Sequence, residues 1–213
     1  MRRLKEFYDQ VAREYAERFV GELADKPLDR GLLDGFAALV GGGRVLDVGT
    51  GPGQIAAYLA QRGVDVEGVD LSPAMIAQAR ERFPELAFRV GDMLALADID
   101  ASIAGMTAFY AIVHLTPDQV EAAAREWARV LAPGGRVLVS FHVGTERVHV
   151  DEFLGHAVDV DFQFHPREQV EVALERAGLA IEARLERRGD AAVEHPSLRA
   201  YLLARKNPVD GSV

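Results

Sequence analysis

The chain contains no cysteine. Disulfides, thiolate metal sites and cysteine nucleophiles are therefore excluded. No uninterrupted apolar stretch approaches the roughly 20 residues of a membrane-crossing helix. The opening MRRLKEFYDQ has two arginines but no apolar region, so it does not read as a secretory signal. Basic residues are in the minority: 24 Lys and Arg stand against 33 Asp and Glu, a formal net charge of −9. A protein that grips phosphate backbones needs a basic face, and Arg184, Arg187 and Arg188 read as no more than a solvated strand end. The expectation is a soluble, cytoplasmic protein, monomer or homodimer, that meets neither nucleic acid nor membrane.

What is present is enough for one filled core. The 213 residues are about half apolar and show no repeat, low-complexity segment or linker. RRLKEFYDQVAREYAERF places Leu4, Phe7, Tyr8, Val11, Tyr15 and Phe19 at three- and four-residue steps, an amphipathic helix. LDRGLLDGFAALV is a second helix, stopped by three glycines. From there strand and helix alternate: RVLDVG, QIAAYLAQRG, VDVEGVD, SPAMIAQARERF, LAFRVGD. Ser72 and Pro73 mark the start of the last of these helices. A fourth strand within ASIAGMTAFYAIVHL, a helix from Pro117 and a fifth strand, RVLVSFHVG, follow. The segment 145–164 has no clear period, although Asp159 and Asp161 alternate like the solvent face of a strand. A helix from Pro166 to Gly178 and two strands, AIEARLER and LRAYLLARK, end the chain. The predicted fold is α/β: a Rossmann-like, doubly wound, mostly parallel seven-stranded sheet with helices on both faces and a C-terminal antiparallel hairpin.

VLDVGTGPGQ raises the question of function. Gly49, Gly51 and Gly53 sit where a strand hands over to a helix, and glycine weakens both neighbours. Absent side chains let a ligand approach the backbone, and the next helix offers free N–H groups. Asp70 closes the second strand about 20 residues later, where an acid can accept from two ribose hydroxyls. A dinucleotide wants G-x-G-x-x-G, which would put glycine where Gln54 stands. S-adenosylmethionine suits the pattern present, with the acid Asp47 one residue before G-x-G-x-G.

On these residues the chain resembles the class I S-adenosylmethionine-dependent methyltransferases, from about Tyr8 to Lys206. LDVGTGPG is similar to the family's first motif, GVDLSPAMIAQAR to its second and FRVGDM to its third. LAPGGRVLVS is similar to its later turn and strand. The resemblance implies a single domain, 1–213: a helical lid (1–40), a cofactor-binding core (43–142) and an acceptor-side segment (143–213). It implies that Gly49, Gly51 and Gly53 pass close to the methionine part, and that Asp47 orients the loop or the ammonium. Asp70 would take the ribose, Leu71 the adenine face, and Asp92 and Met93 the adenine edge. The fourth strand departs from the family pattern: it holds Met106 and Thr107 where an acid is common.

Methyl transfer is an in-line displacement, and holding the nucleophile against the methyl supplies much of the rate. A base is needed only if the acceptor must lose a proton. His114 and Tyr110, after the fourth strand, and His142, at the end of the fifth, are the candidate catalytic residues. Tyr8 and Tyr15 share a face of the first helix and could favour a sulfonium through their rings. The His and Asp residues of 145–165 fit no compact metal site, so no metal is expected and the segment reads as a wall of the acceptor pocket. The implied activity is S-adenosylmethionine-dependent methylation of a small molecule. A non-catalytic S-adenosylmethionine binder and, less well supported, a dinucleotide-dependent oxidoreductase are the alternatives.

Overall fold

The computed structural model describes residues 2–207. Residue 1 and residues 208–213 of the expected domain lie outside the described residues. Helices α1 (Arg2–Phe19) and α2 (Pro27–Val40) precede the sheet, joined by a short 3-10 turn (Glu22–Asp25). Then β1 (Val45–Val48), α3 (Gln54–Ala60), β2 (Val66–Asp70), α4 (Pro73–Arg82) and β3 (Ala87–Val90) alternate. They are followed by β4 (Ile103–Phe109), α5 (Pro117–Val130) and β5 (Leu131–Val143). A hairpin, β6 (Arg147–Phe153) and β7 (His156–Gln163), leads to α6 (Arg167–Arg176), β8 (Leu179–Arg188) and β9 (Leu198–Lys206).

The main sheet has seven strands in the order β3-β2-β1-β4-β5-β9-β8. Strands β1 to β5 pair parallel, and β9 runs antiparallel to both β5 and β8. The last two strands do form an antiparallel pair. β9 does not lie at the rim, however; it is inserted between β5 and β8. Val45, Leu46, Asp47 and Val48 are all buried, as expected of a strand covered on both faces. The strand order reverses between β1 and β4, and ligands in such sheets bind beyond the carboxyl ends of the strands at that point.

Helix starts follow local chemistry. The Ser72 side chain accepts the Met75 N–H and Pro73 opens α4. Thr116 and Gln119 form a reciprocal capping box on α5. The aperiodic segment 145–164 resolves into a separate two-stranded sheet, β6–β7. Its strands are mostly half-exposed, so neither carries a clean buried face. Val160 packs with Phe7 and Val11 of α1, joined by Val150, Phe153 and Phe162. This small core straps α1 and the hairpin together over the carboxyl ends of the sheet. Burying a side chain such as Phe7 or Val11 contributes about 1.5–3 kcal/mol.

Candidate functional site

A cavity of about 440 Å³ opens at the carboxyl ends of β1, β2, β4 and β5, beneath α1 and the hairpin. That volume lies within the range of small-ligand sites. Leu71, Asp92, Met93, Tyr110, His114 and His142 line it, as do Tyr8, Tyr15, Gly49, Gly51 and Asp70. Of the sequence-derived site residues, Asp47 and Gly53 are not on its wall.

The three glycines do three different things. Gly49 has φ +68°, and a Cβ there would meet the Ala111 Cβ at 2.6 Å. Gly51 has φ +54° and donates its N–H to Asp70 Oδ2 at 2.8 Å. Gly53, at φ +89°, is the residue before α3, and a Cβ on it would strike the Phe88 ring at 2.8 Å. Gly53 therefore serves helix–strand packing, away from the ligand space that the sequence pattern gave it.

Asp47 is buried under the loop. Its Oδ2 accepts the Thr50 hydroxyl at 2.6 Å and its Oδ1 the Thr107 hydroxyl at 2.7 Å. Burial pushes its carboxyl up to about 6 against the pull of these two bonds. Thr107 occupies the strand position where the family pattern has an acid, and it ties β4 to the loop. The cavity wall instead carries Glu22 and Gln54, whose Nε2 donates to Glu22 Oε1 at 3.2 Å. Gln54 Oε1 is buried with no hydrogen-bond partner.

Asp70 accepts the Ser72 N–H at 2.9 Å on the oxygen that does not face Gly51. Burial holds its carboxyl above the usual range, and the backbone N–H groups oppose that shift. Asp92 accepts the Leu94 N–H at 2.9 Å, which fixes the turn after β3.

Helix α1 closes the cavity from above. Asp9 Oδ1 accepts the Ser72 hydroxyl at 2.6 Å and the Ala74 N–H at 3.1 Å, pinning α1 to the start of α4. Tyr8 and Tyr15 meet edge to face with ring centroids 5.9 Å apart. The Tyr8 hydroxyl lies 2.8 Å from His114 Nε2, and His114 Nδ1 lies 2.7 Å from the Asp161 carbonyl oxygen. A carbonyl only accepts, so Nδ1 carries the ring proton and Nε2 accepts from Tyr8. Burial pushes the His114 pKa down to about 4. The ring is therefore neutral near pH 7, held between the lid helix and the hairpin.

Tyr110 has φ +51°, a left-handed conformation that is uncommon for a non-glycine residue. Its N–H donates to the Ser140 carbonyl at 2.9 Å. Its hydroxyl lies 2.9 Å from that of Tyr201, which donates to Asp29 Oδ1 at 2.7 Å. Tyr201 thus has one proton spent on Asp29 and accepts from Tyr110. Burial, with Asp29 nearby, pushes the Tyr110 phenol up to about 12. A phenol so raised and so engaged forms wall rather than base. His142 Nδ1 lies 2.7 Å from the Ser197 hydroxyl, and its ring stacks on Phe164 with centroids 5.1 Å apart.

The structure adds residues that sequence reasoning missed. Asp29, His195 and Arg199 line the cavity beyond Tyr110 and His142. Arg187 donates to Asp29 at 2.8 Å and grips Glu194 with two bonds, 2.6 and 2.8 Å. Asp29 and Tyr201 lie 172 residues apart in the chain, so no local pattern announces the pair. Among the described residues no group of three or more His, Asp or Glu is placed to hold a metal ion, and no helix is long and apolar enough to cross a membrane.

Comparison with known proteins bears on this geometry. Residues 45–135 match the family model described as a methyltransferase domain. A demethylmenaquinone methyltransferase of Beutenbergia cavernae is 36% identical over 135 residues, covering 62% of this chain and 55% of the relative. An arsenite methyltransferase of Halobacterium salinarum is 37% identical over 134 residues, covering 59% of this chain and 34% of the relative. The chain thus spans about half the length of the first relative and about a third of the second. Among solved structures, the [4+2]-cyclase SpnF shares the fold at a TM-score of 0.76 and 21% identity, over 97% of this chain and 96% of that one. Residues 45–135 are thus similar to a methyltransferase domain, and the whole described chain shares its fold with solved structures of that architecture.

Proposed function

We propose that this protein binds S-adenosylmethionine and transfers its methyl group to a small-molecule acceptor with an apolar body. The observation that carries the reading is the two-sided cavity. One wall, Gly49, Gly51, Asp70, Leu71, Asp92 and Met93, presents backbone and carboxylates; the other, Tyr110, His114, His142 and the hairpin, presents rings. A small acceptor also agrees with an enclosed cavity and an acidic chain. A soluble cytoplasmic protein, acting as a monomer or homodimer, is part of the same proposal.

The residues present fit the ligand. Gly51 leaves open space, since a Cβ there would meet only the Tyr15 ring at 3.9 Å, and Gln54 Oε1 is a buried acceptor awaiting a donor. Glu22 and Gln54 suit an ammonium, a job that Asp47, with both oxygens engaged below the loop, does not take. Asp70 suits the ribose and Asp92 with Met93 the adenine edge. Tyr8 and Tyr15 present rings toward a cation. Bound S-adenosylmethionine supplies an electrophilic methyl on a positive sulfur. The chain's residues exclude water, hold the acceptor in line and, where it must lose a proton, take that proton. His114 is the proposed base: its ring is neutral, and Nε2 is free to accept once the Tyr8 hydroxyl yields its place. His142, also neutral, is the second candidate, and Tyr110 shapes the pocket.

One observation favours a second reading, a cofactor binder that does not transfer methyl. The fold is shared nearly end to end with a protein named as a cyclase. Calorimetric titration with S-adenosylmethionine, S-adenosylhomocysteine and NAD tests both readings at the first step. Micromolar binding of the two sulfur ligands with NAD silent is expected; binding of NAD alone would overturn both. Trapping a methylated product then separates enzyme from binder.

A further inference from the structure

At the acceptor side of the cavity the aromatic wall gives way to charge. Arg199 lines the cavity and is only 4% exposed. Its Nη2 donates to the His195 carbonyl at 3.1 Å. Its Nε is buried with no hydrogen-bond partner, 3.3 Å from Glu194 Oε2 but outside bonding geometry. The neighbouring cations are better provided for. Arg187 is used up by Asp29, Tyr201 and both oxygens of Glu194. Lys26 pairs with Glu22 at 2.5 Å and lies 3.7 Å from Glu194. Of these three cations, Arg199 has a single carboxylate contact, an ion pair with Glu194 that makes no hydrogen bond.

We infer that the acceptor carries a singly charged anionic oxygen group, a carboxylate, on its apolar body, and that Arg199 with His142 and His195 receives that group. The inference rests on the reading of this cavity as the acceptor site. A guanidinium presents paired donors that match a carboxylate in two-point contact. A buried arginine is costly unless its donors are satisfied, and a ligand carboxylate would supply the hydrogen bonds that Glu194 does not. The partners limit the ligand's valence. Lys26 is held by Glu22 and Arg187 by Asp29 and Glu194, which leaves Arg199 as the under-bonded cation. One such guanidinium suits a carboxylate and offers no second cation for a diphosphate. The local field agrees: His142 is pushed down to about 3 by burial and then by Arg199, His195 and Lys26, against the contrary pull of Glu194. The body of the ligand would lie on Tyr110, Val113, Val150, Phe153, Phe162 and Phe164.

The test uses 2-naphthoate and its neutral isostere 2-naphthamide as probes, titrated into the protein with and without S-adenosylhomocysteine. Naphthoate should bind at least tenfold more tightly than the amide. In Arg199→Gln the two should come within threefold while S-adenosylhomocysteine binds as before, and Arg199→Lys should keep part of the preference. Equal binding of acid and amide to the wild type, or an unchanged preference in a folded Arg199→Gln, would overturn the inference. If that variant does not fold, the wild type decides by NMR: saturating naphthoate should raise the His142 pKa by at least one unit, and a shift no larger than the amide's would refute it. Displacement of naphthoate by inorganic phosphate at equal concentration would also overturn the carboxylate assignment. Loss of S-adenosylhomocysteine binding with the naphthoate preference intact would remove the methyl-transfer reading and leave the anion site standing.

Discussion

The two ends of the cavity are built in opposite ways. The proposed cofactor end is made of neighbours: Gly49, Gly51 and Thr50 share one loop, and Asp70 and Ser72 lie on either side of one strand–helix joint. Its hydrogen bonds are mostly to backbone N–H groups. The proposed acceptor end is made of strangers. Asp29 precedes the sheet, Tyr110 and His142 end parallel strands, and Arg187, Glu194, Arg199 and Tyr201 come from the last hairpin. Its bonds run side chain to side chain. The first kind of site constrains a ligand through backbone shape; the second can change by substitution without disturbing the glycine loop.

If the ends are independent, variants should separate them. The largest effect is expected at His114. His114→Ala should lower turnover about 100-fold, within the span of general-base contributions, with cofactor affinity changed less than twofold. A matching fall in cofactor affinity, read by calorimetry, would make His114 a binding residue and blur the division. Asp70→Ala should weaken S-adenosylmethionine at least tenfold, about 1.4 kcal/mol, and leave probe binding at the acceptor end intact; unchanged affinity would remove the ribose assignment. Tyr201→Phe breaks the chain from Tyr110 to Asp29 and should cost about 1 kcal/mol in denaturant unfolding, with the cofactor held as before.

The last contrast concerns pH. His114 and His142 sit at about 4 and 3 in the folded chain, so the unfolded chain takes up their protons first. Their contribution is full above pH about 6.5 and falls as pH drops toward 4, by up to about 1.4 kcal/mol per unit for each group. Asp47, raised to about 6, acts in the opposite sense: the folded chain keeps its proton between about 6 and the unfolded value, so acid favours the fold there. Three lowered histidines, His165 among them, against the two raised aspartates Asp47 and Asp70 leave a net loss on acidification. His142→Gln should reduce the fall in Tm between pH 7 and 5; an unaltered fall would show that the acceptor end does not hold that ring neutral.

What could be read from the sequence follows the same division. The alternation of strand and helix, the Ser72 cap and the glycine turn are local, so VLDVGTGPGQ and GVDLSP announced the fold and one wall of the cavity. Gly53 was legible as a glycine but not as a packing one, because Phe88 reaches it from another strand. Asp47 was legible as an acid near the loop, but its partner Thr107 comes from β4. The hairpin over 145–164 was hidden because its half-exposed strands lack one buried face, although Asp159 and Asp161 gave part of it away. Arg199 and Asp29 were invisible: each is an ordinary charged residue until the sheet closes around it.

The place of β9 bears on how the chain is made. A strand that enters between β5 and β8 is the last part of the described sheet to leave the ribosome, yet it fills an interior position. Until it arrives, β5 and β8 each offer an unpaired edge, the surface on which chains stick to one another. The pairing of β9 with β5 also spans distant parts of the chain, a feature that slows folding. Loss of this strand would therefore not trim the sheet at its rim. It would leave two open edges in the middle of the sheet and take Arg199 and Tyr201 with it, so closure of the sheet and one wall of the cavity depend on the same nine residues.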